Sequence, residues 1–126
     1  MGTARQKTIL VVEDEEDVAI LLKDRLELAG YSAHIEGYGK SALAYAAGRQ
    51  PDLVILDLRL PDLDGYEVCR QLRKLYHSWA VPVLMLTARD KPVEQLHGFA
   101  SGADAYMTKP YEADELLKTV HLLLGV

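Results

Sequence analysis

Carboxylate side chains that follow apolar segments are the residues of this sequence best suited to chemistry. Asp57 directly follows the apolar run 53–56, and Glu13 and Asp14 directly follow the largely apolar run 8–12. Such runs are typical of buried strands, and a buried charge is costly unless another group neutralises it. Carboxylates at the ends of two such strands therefore indicate a site that binds something positively charged.

Two more apolar runs lead into polar side chains of a different kind. Thr87 follows the run 83–86, and Lys109 lies shortly after the run 105–107. A hydroxyl and an ammonium group can both donate hydrogen bonds to the oxygens of an anion. Each of these residues alone has an ordinary explanation, as a surface lysine or as a threonine that satisfies backbone groups. Together with the carboxylates, they predict a functional site.

This set of side chains matches what phosphoryl transfer needs. Clustered carboxylates repel each other, and Mg²⁺ relieves the repulsion because it prefers oxygen ligands, near-octahedral geometry and several retained waters. A hydroxyl and a cation on the other side of the site bind a phosphoryl group. A carboxylate can itself be the nucleophile and form an aspartyl-phosphate. The sequence thus favours Mg²⁺-dependent phosphoryl transfer at these strand ends.

Strand and helix patterns alternate five times along the chain, as in α/β proteins. The third helix has the clearest start, because Asp64 can cap it and Glu67 completes a capping-box pattern. The predicted strands are 8–12, 31–36, 51–57, 82–87 and 103–107. The predicted helices are one that ends at Gly30, 41–48, one that begins after the turn 61–65, 91–101 and 112–124.

The apolar pattern also predicts how the strands pair. Strands one, three and four are apolar at nearly every position, which indicates parallel strands that are covered on both faces. Five such units predict a flavodoxin-like, doubly wound (βα)5 three-layer sandwich with a parallel sheet in the order 2-1-3-4-5. In that order the crevice lies between strands one and three, so Asp14 and Asp57 are expected to meet there.

Composition and charge narrow the classes of partner. The chain has 126 residues, enough for one domain over 1–126, and a net charge of −5 without a stripe of Lys and Arg, so this domain is not expected to bind nucleic acid directly. No apolar run approaches the roughly 20 residues that cross a membrane. The segment 1–7 lacks the apolar core of a signal peptide, so we expect a cytoplasmic protein without membrane contact. The single Cys69 suits a reducing compartment and a buried position.

Five segments of the sequence resemble the receiver domain of two-component response regulators. They are ILVVEDE at 9–15, PDLVILD at 51–57, LPDLDG at 60–65, LTA at 86–88 and GADAYMTKP at 102–110. The resemblance covers essentially the whole chain, and the segments lie on four strands in the right order. It implies a phosphoacceptor switch, with only self-catalysed phosphoryl transfer and autodephosphorylation, and not an enzyme that turns over a substrate.

The resemblance implies a phosphorylation site with a switch beside it. Asp57 would accept the phosphoryl group, Thr87 would hydrogen-bond it and Lys109 would pair with it. Tyr106 matches the aromatic residue that turns inward when Thr87 moves toward the phosphoryl group. Ala88 would keep the entrance open.

The resemblance also implies a Mg²⁺ site that shares the phosphoacceptor. Asp14 and Asp57 would bind the metal through their carboxylates, and Arg59 would bind it through its backbone carbonyl. Glu13 would act through a water molecule. Glu13 is Asp in many relatives, a change that keeps the charge.

A phosphoryl donor and a recipient of the signal are implied as well. The donor would be a sensor histidine kinase or a phosphotransfer protein, and the recipient a downstream protein or output domain. Many relatives dimerise through charged residues on the fourth helix, fifth strand and fifth helix, where this chain has Phe99, Ala105 and Thr119. Without those charges we expect a mostly monomeric domain when it is unphosphorylated. A single-domain regulator or a receiver of a hybrid kinase is therefore favoured over a DNA-binding regulator.

Three local features complete the predictions. The resemblance implies that the peptide bond between Lys109 and Pro110 is cis. Arg59 and Arg89 are expected at the mouth of the site, where two guanidinium groups could screen the phosphoryl group from water. Trp79 is expected to pack before the fourth strand.

Two other classes of function stay open. A hydrolase of the haloacid-dehalogenase type also forms an aspartyl-phosphate, but its nucleophile follows the first strand and the second residue beyond it is an Asp, where this chain has Arg59. A receiver-like binding module that works without phosphate usually lacks some of the site residues, and this chain has them all. Rapid turnover of a phosphorylated substrate would indicate the hydrolase, and failure to label with acetyl phosphate would indicate the module.

Overall fold

The computed structural model of the chain describes residues 5–89 and 91–125, in which strands and helices alternate. The strands are β1 (Thr8–Val12), β2 (Ser32–Glu36), β3 (Leu53–Leu56), β4 (Val83–Thr87) and β5 (Ala105–Thr108). The helices are α1 (Glu16–Leu28), α2 (Gly39–Gly48), α3 (Gly65–Leu75), α4 (Pro92–Ala100) and α5 (Ala113–Leu124). Every predicted element is present, with small shifts at its ends. Part of the segment 1–7, for which no signal peptide is expected, lies outside the described residues.

The strands form a parallel sheet in the order β2-β1-β3-β4-β5, which confirms the predicted topology. Val12 of β1 pairs with Leu56 of β3, so these two strands end at the same level. The residues that follow them, Glu13 and Asp57, therefore leave the sheet side by side. The sheet register alone brings the two carboxylates together.

Neighbouring residues of each central strand pack against different helices, because strand side chains alternate between the two faces of a sheet. One face packs on α2 and α3, and its core includes Leu10, Val54, Met85, Ala46, Cys69 and Leu72. The other face packs on α1 and α5, and its core includes Ile9, Ile55, Leu84, Leu26, Leu116 and Val120. Both faces are covered, which explains the continuous apolar runs.

Cys69 has the buried position that its helical context predicts. The side chain is fully buried in the core between α3 and the sheet. Burial raises the pKa of its thiol to about 11. The thiol is therefore protonated at neutral pH and acts as a packing group. Within residues 5–89 and 91–125, a helix with the length and apolar character of a membrane span is absent.

The start of α3 confirms one prediction and corrects another. Asp64 caps the helix as predicted, because its Oδ1 accepts the Tyr66 N–H at 2.8 Å. The predicted capping box, in which Glu67 would bind the backbone at the helix start, is wrong. The Glu67 carboxylate accepts from the side chains of Arg70 and Gln71 further along the helix, at 2.9 Å and 2.8 Å. These i,i+3 and i,i+4 pairs on the helix surface compete with the backbone for Glu67.

Trp79 does not pack in the core, contrary to the prediction. Its side chain is 85% exposed and stacks on the ring of His77, with 5.6 Å between the ring centroids. A turn in which Val81 N–H donates to His77 O precedes β4. Val81, which is fully buried, fills the core position in place of the tryptophan.

A charged network at the amino-terminal ends of β4 and β5 joins α3 to the sheet. The Arg73 guanidinium donates to Asp104 Oδ2 at 2.6 Å and to the carbonyls of Gly102 and Val81 at 2.8 Å and 2.7 Å. Asp104 Oδ2 also accepts the Val83 N–H at 2.8 Å. The side chains of Arg73 and Asp104 are only 16% and 22% exposed. Loss of either partner would therefore leave buried donors or acceptors without hydrogen bonds.

We expect the Asp104→Ala substitution to lower the free energy of unfolding by about 1–3 kcal/mol, because the Arg73 guanidinium and the Val83 N–H lose their acceptor. Urea unfolding followed by circular dichroism measures the change. The matched control is Glu67→Ala, which removes an exposed ion pair with Arg70 on the same helix and should cost less than about 1 kcal/mol. Equal losses in the two variants would contradict a structural role for the network.

Candidate functional site

Four strand ends supply the polar side chains of the candidate site. Glu13 follows β1, Asp57 follows β3, Thr87 is the last residue of β4, and Lys109 follows β5. Because the strands are parallel, these ends lie at one edge of the sheet, which is the edge where open α/β folds bind ligands. The residues are far apart in sequence and are brought together by the strand order.

Lys109 joins two buried carboxylates. Its Nζ donates to Glu13 Oε1 at 2.9 Å and to Asp57 Oδ2 at 2.8 Å. Glu13 is 5% exposed and Asp57 is 7% exposed, so both carboxylates are largely removed from water. Two carboxylates that are buried side by side repel each other unless a cation contacts them. Lys109 provides that cation, and its peptide bond to Pro110 is cis, as predicted.

These contacts shift the pKa values of Glu13 and Lys109. Burial raises the pKa of Glu13 to about 7; the hydrogen bond from Lys109 opposes this rise, and the neighbouring Asp57 adds to it. Burial alone would lower the pKa of Lys109, but its hydrogen bonds to Asp57 and Glu13 outweigh that effect and raise the pKa above its ordinary value. Lys109 therefore stays charged at neutral pH, whereas Glu13 is close to its titration point.

The backbone fixes the Asp57 side chain and the loop that follows it. Asp57 Oδ1 accepts the Arg59 N–H at 2.9 Å, and the Asp57 N–H donates to Val12 O at 3.0 Å. The loop then folds back, and the Gly65 N–H donates to Leu58 O at 3.0 Å. A Cβ at position 65 would lie 2.6 Å from Leu58 Cα, so only glycine permits this approach.

An open cleft exposes one side of the cluster. Its lining residues are Asp14, Glu15, Asp57, Arg59, Thr87, Ala88 and Lys109. The structure thus brings together five of the seven residues predicted for the site, with Ala88 at the same cleft. Glu13 is buried beside the cleft, where it contacts Lys109. Tyr106 does not line the cleft.

Tyr106 packs against α4. Its hydroxyl donates to Arg89 O at 2.7 Å. A Cβ at Gly98 would be 2.8 Å from the Tyr106 ring, so the glycine leaves the space that the ring occupies. The β4–α4 loop links Tyr106 to the cleft, because the Arg89 N–H lies 3.4 Å from Thr87 Oγ1.

Of the two arginines predicted at the mouth, only Arg59 is there. Arg59 is exposed and lines the cleft. The Arg89 guanidinium pairs instead with Asp64 at 3.4 Å and with Glu94 at 3.9 Å. It also lies over the ring of Tyr66, 5.4 Å from the centroid. The acidic side chains at the starts of α3 and α4 draw Arg89 away from the cleft.

Asp62 is a positioning residue that the sequence pattern did not reveal. Its carboxylate accepts the N–H groups of Gly39 and Lys40, at 2.8 Å and 2.9 Å, and so caps α2 from the β3–α3 loop. The residue before α2, Tyr38, makes no side-chain cap. The sequence contained one signal for such a residue. No capping side chain directly precedes α2, and the first N–H groups of a helix need acceptors, so an acceptor from elsewhere was to be expected.

The oxygen donors of the cleft fit a hard cation such as Mg²⁺. The Asp14 side chain is exposed, and the Asp57 carboxylate lines the same cleft. Two carboxylates with room for water match the preference of Mg²⁺. Among the residues that the structure describes, no three His, Cys, Asp or Glu side chains converge as a metal cluster. A cation bound here would therefore also use water or backbone oxygens.

Comparison with known proteins agrees with the geometry. Residues 9–121 match the response regulator receiver domain family. The alkaline phosphatase synthesis transcriptional regulatory protein PhoP of Bacillus subtilis (strain 168) is 45% identical over 118 residues, which are 94% of this chain and 48% of that protein. A CheY-like response regulator receiver domain protein from Methanospirillum hungatei JF-1 has a TM-score of 0.90 at 28% identity, over 96% of this chain and 95% of that chain. A BeF3-activated DrrB receiver domain has a TM-score of 0.87 at 30% identity, over 97% of this chain and 100% of that chain.

The chain therefore belongs to the response regulator receiver domain family, and its fold is CheY-like and flavodoxin-like. Receiver domains are phosphoacceptor switches and not classical enzymes. The chain spans about half the length of the curated relatives it matches.

Substitutions around Glu13 should move its pKa in opposite directions. Lys109→Met removes the hydrogen bond that lowers the pKa, so Glu13 should titrate above its present value of about 7. Asp57→Asn removes a neighbouring negative charge, so Glu13 should titrate at a lower pH. Carbon-13 NMR of the carboxyl groups in metal-free buffer measures both changes, with the exposed Glu67→Gln as the control. A lower Glu13 pKa in the lysine variant would be incompatible with the bridge.

Proposed function

We propose that Asp57 accepts a phosphoryl group from a phosphohistidine and that the modified domain signals to a partner. The observation that carries the proposal is the contact between the largely buried Asp57 carboxylate and Lys109 at an open cleft. Ionisable side chains that are largely buried, paired with an opposite charge and located at a cleft are candidates for function. The proposed donor is a sensor histidine kinase or a phosphotransfer protein, and the recipient is a downstream protein or output domain.

The transfer forms one bond and breaks another. An Asp57 carboxylate oxygen attacks the phosphorus, the P–N bond of the donor breaks, and the donor imidazole leaves with the electron pair of that bond. The product is a mixed anhydride of the Asp57 carboxyl group and phosphate. Lys109 and the Thr87 hydroxyl donate to the phosphoryl oxygens, on which negative charge gathers during the transfer. Lys109 is already charged and in contact with Asp57, so its position requires little reorganisation.

Mg²⁺ is the proposed cofactor. When bound, it neutralises the charge that gathers between the carboxylate and the phosphoryl oxygens. Asp14, Asp57 and the backbone carbonyl of Arg59 are its proposed protein ligands. The exposure of Asp14 at the cleft supports a direct role for its carboxylate. Glu13 is hydrogen-bonded to Lys109 and to the Glu15 N–H, which supports a role through water.

The proposed switch runs from Thr87 to Tyr106 through Arg89. The Arg89 N–H lies 3.4 Å from the Thr87 hydroxyl oxygen, and the Arg89 carbonyl accepts the Tyr106 hydroxyl. A Thr87 side chain that moves toward a phosphoryl group therefore displaces the residue that binds Tyr106. α4 is the element that responds, because Gly98 is its buried residue and elements with little buried surface shift at low cost.

The alternative functions have less support. A haloacid-dehalogenase-type hydrolase needs a second acid two residues beyond the nucleophile, where this chain has Arg59. A binding module that works without phosphate has no need of Asp14, Asp57, Thr87 and Lys109 around one cleft. The full set of residues favours the phosphoacceptor.

The assembly of the domain is a separate proposal. We propose a mostly monomeric unphosphorylated domain, because Phe99, Ala105 and Thr119 stand where dimerising relatives have charges that attract and align the partner. PhoP is by name a transcriptional regulatory protein, and the chain covers 48% of it. That relative adds a transcriptional output to the candidates, beside the single-domain regulator or hybrid-kinase receiver that the sequence favours.

Asp57→Asn should abolish labelling by acetyl phosphate in the presence of Mg²⁺, because an amide cannot accept the phosphoryl group. Intact mass spectrometry should show one added phosphoryl group in the wild-type chain and none in the variant. The matched control is Asp64→Asn, which changes a carboxylate near the site and keeps a residue type that caps helices well. Full labelling of the Asp57 variant would reject the assignment.

Asp14→Ala should weaken Mg²⁺ binding at least about 10-fold, the lower end of the loss seen when a metal site loses even an outer partner. Isothermal titration calorimetry of the unmodified domain measures this affinity without any phosphoryl donor. Asp17→Ala is the control, because Asp17 is an exposed acid in the first turn of α1 that does not line the cleft. If both variants bound Mg²⁺ like the wild type, Asp14 would not be a ligand.

A further inference from the structure

α4 is attached to the rest of the domain by little apolar surface. Gly98 is its buried residue, whereas the side chains of Val93 and Leu96 are 65% and 69% exposed. A helix that buries so little apolar surface depends on a few polar and aromatic contacts for its position. Those contacts decide how α4 responds to changes at the cleft.

The contacts on the α3 side converge on Tyr66, the second residue of that helix. The Tyr66 hydroxyl donates to Glu94 Oε2 at 2.5 Å and lies 3.1 Å from the Glu94 carbonyl oxygen. Its ring stacks on the ring of His97, with 3.8 Å between centroids and an angle of 18°. Tyr66 is buried, and Val68 and Leu72 fix α3 in the core. The first turns of α4 are therefore bound to a firmly packed helix.

Arg89 continues this set of contacts toward the cleft. Its guanidinium lies over the Tyr66 ring and pairs with Asp64 and Glu94. Its backbone N–H lies 3.4 Å from the Thr87 hydroxyl oxygen. Burial raises the pKa of the Tyr66 phenol well above its ordinary value, so the hydroxyl remains a donor at neutral pH. We call Tyr66, Arg89, Glu94 and His97 the Tyr66 cluster.

We propose that Tyr66 is a positioning residue that couples α4 to the phosphorylation site. The inference rests on the proposed function of Asp57 and adds a second connection to it. Tyr106 binds the β4–α4 loop from β5, and Tyr66 binds the same loop and α4 from α3. With the cluster intact, a displacement of Thr87 moves Arg89 and α4 together. Without the Tyr66 hydroxyl, the first turns of α4 loosen, and less of the displacement reaches the helix.

The test is amide hydrogen exchange of residues 92–100 in the full chain. Tyr66→Phe keeps the ring and its stacking on His97 but removes the hydroxyl, and with it the bond to Glu94 and the interactions with Arg89 and Tyr106. We expect exchange in α4 to rise on the order of ten-fold, as for the loss of one buried hydrogen bond to a charged group. Addition of beryllofluoride and Mg²⁺ should change α4 exchange in the wild type and change it less in the variant.

A second variant makes the test independent of core packing. Glu94→Ala breaks the same bond from the solvent side, because the Glu94 side chain is 33% exposed. If the hydroxyl–carboxylate bond carries most of the effect, the free-energy change in the double variant should be smaller than the two single changes combined, because both substitutions break the same bond. Tyr76→Phe is the matched control, because that hydroxyl at the other end of α3 donates to Ala46 O and is remote from α4.

The outcomes separate this inference from the proposed function. Unchanged α4 exchange in both Tyr66→Phe and Glu94→Ala would overturn the coupling role of Tyr66, and so would an equal change in Tyr76→Phe. An equal response to beryllofluoride in wild type and Tyr66→Phe would also overturn it. Labelling of Asp57 by acetyl phosphate is measured in the same samples by mass spectrometry. Loss of labelling in the wild type would reject the proposed function, and normal labelling with uncoupled α4 in Tyr66→Phe supports both proposals.

Discussion

The rest of the site depends on one electrostatic constraint, which is that two carboxylates lie out of water at neighbouring strand ends. Glu13 and Asp57 follow β1 and β3, which end at the same level in the sheet. Lys109, which follows the edge strand β5, contacts both carboxylates and offsets the repulsion between them. Any ligand that brings more negative charge to Asp57 must share this cation. Binding of an anion therefore changes a contact that joins β1, β3 and β5.

The two loops beside Asp57 differ in how firmly they are held. The β3–α3 loop is fixed at several points, since Asp62 caps α2, Asp64 caps α3, and the Gly65 N–H donates to Leu58 O. The β4–α4 loop is held by side chains, chiefly through Tyr106 and Arg89. One side of the cleft is thus rigid and the other can adjust, which is the arrangement a switch needs.

Acidic residues in the first turns of α3 and α4, or just before them, contact both their own helix and neighbouring elements. Asp64 binds both the α3 backbone and the Arg89 guanidinium, and Glu94 binds both Arg89 and the Tyr66 hydroxyl. Anions are favourable at helix amino termini, so each contact also suits the helix that carries it. The same residues that stabilise α3 and α4 hold Arg89 away from the cleft, and this leaves Arg59 beside the cleft entrance.

Sequence alone determined the fold and the main residues of the site, because both follow from local patterns. Continuous apolar runs require parallel, doubly covered strands, and the ends of such strands must meet at one edge, so Asp14, Asp57, Thr87 and Lys109 could be grouped in advance. The tertiary structure decided which side chains contact one another. Glu67 pairs along its own helix, Arg89 turns toward Asp64, and Trp79 stays outside the core while Val81 fills it. Such contacts depend on competition among partners that are distant in sequence, so a local sequence pattern does not predict which contact forms.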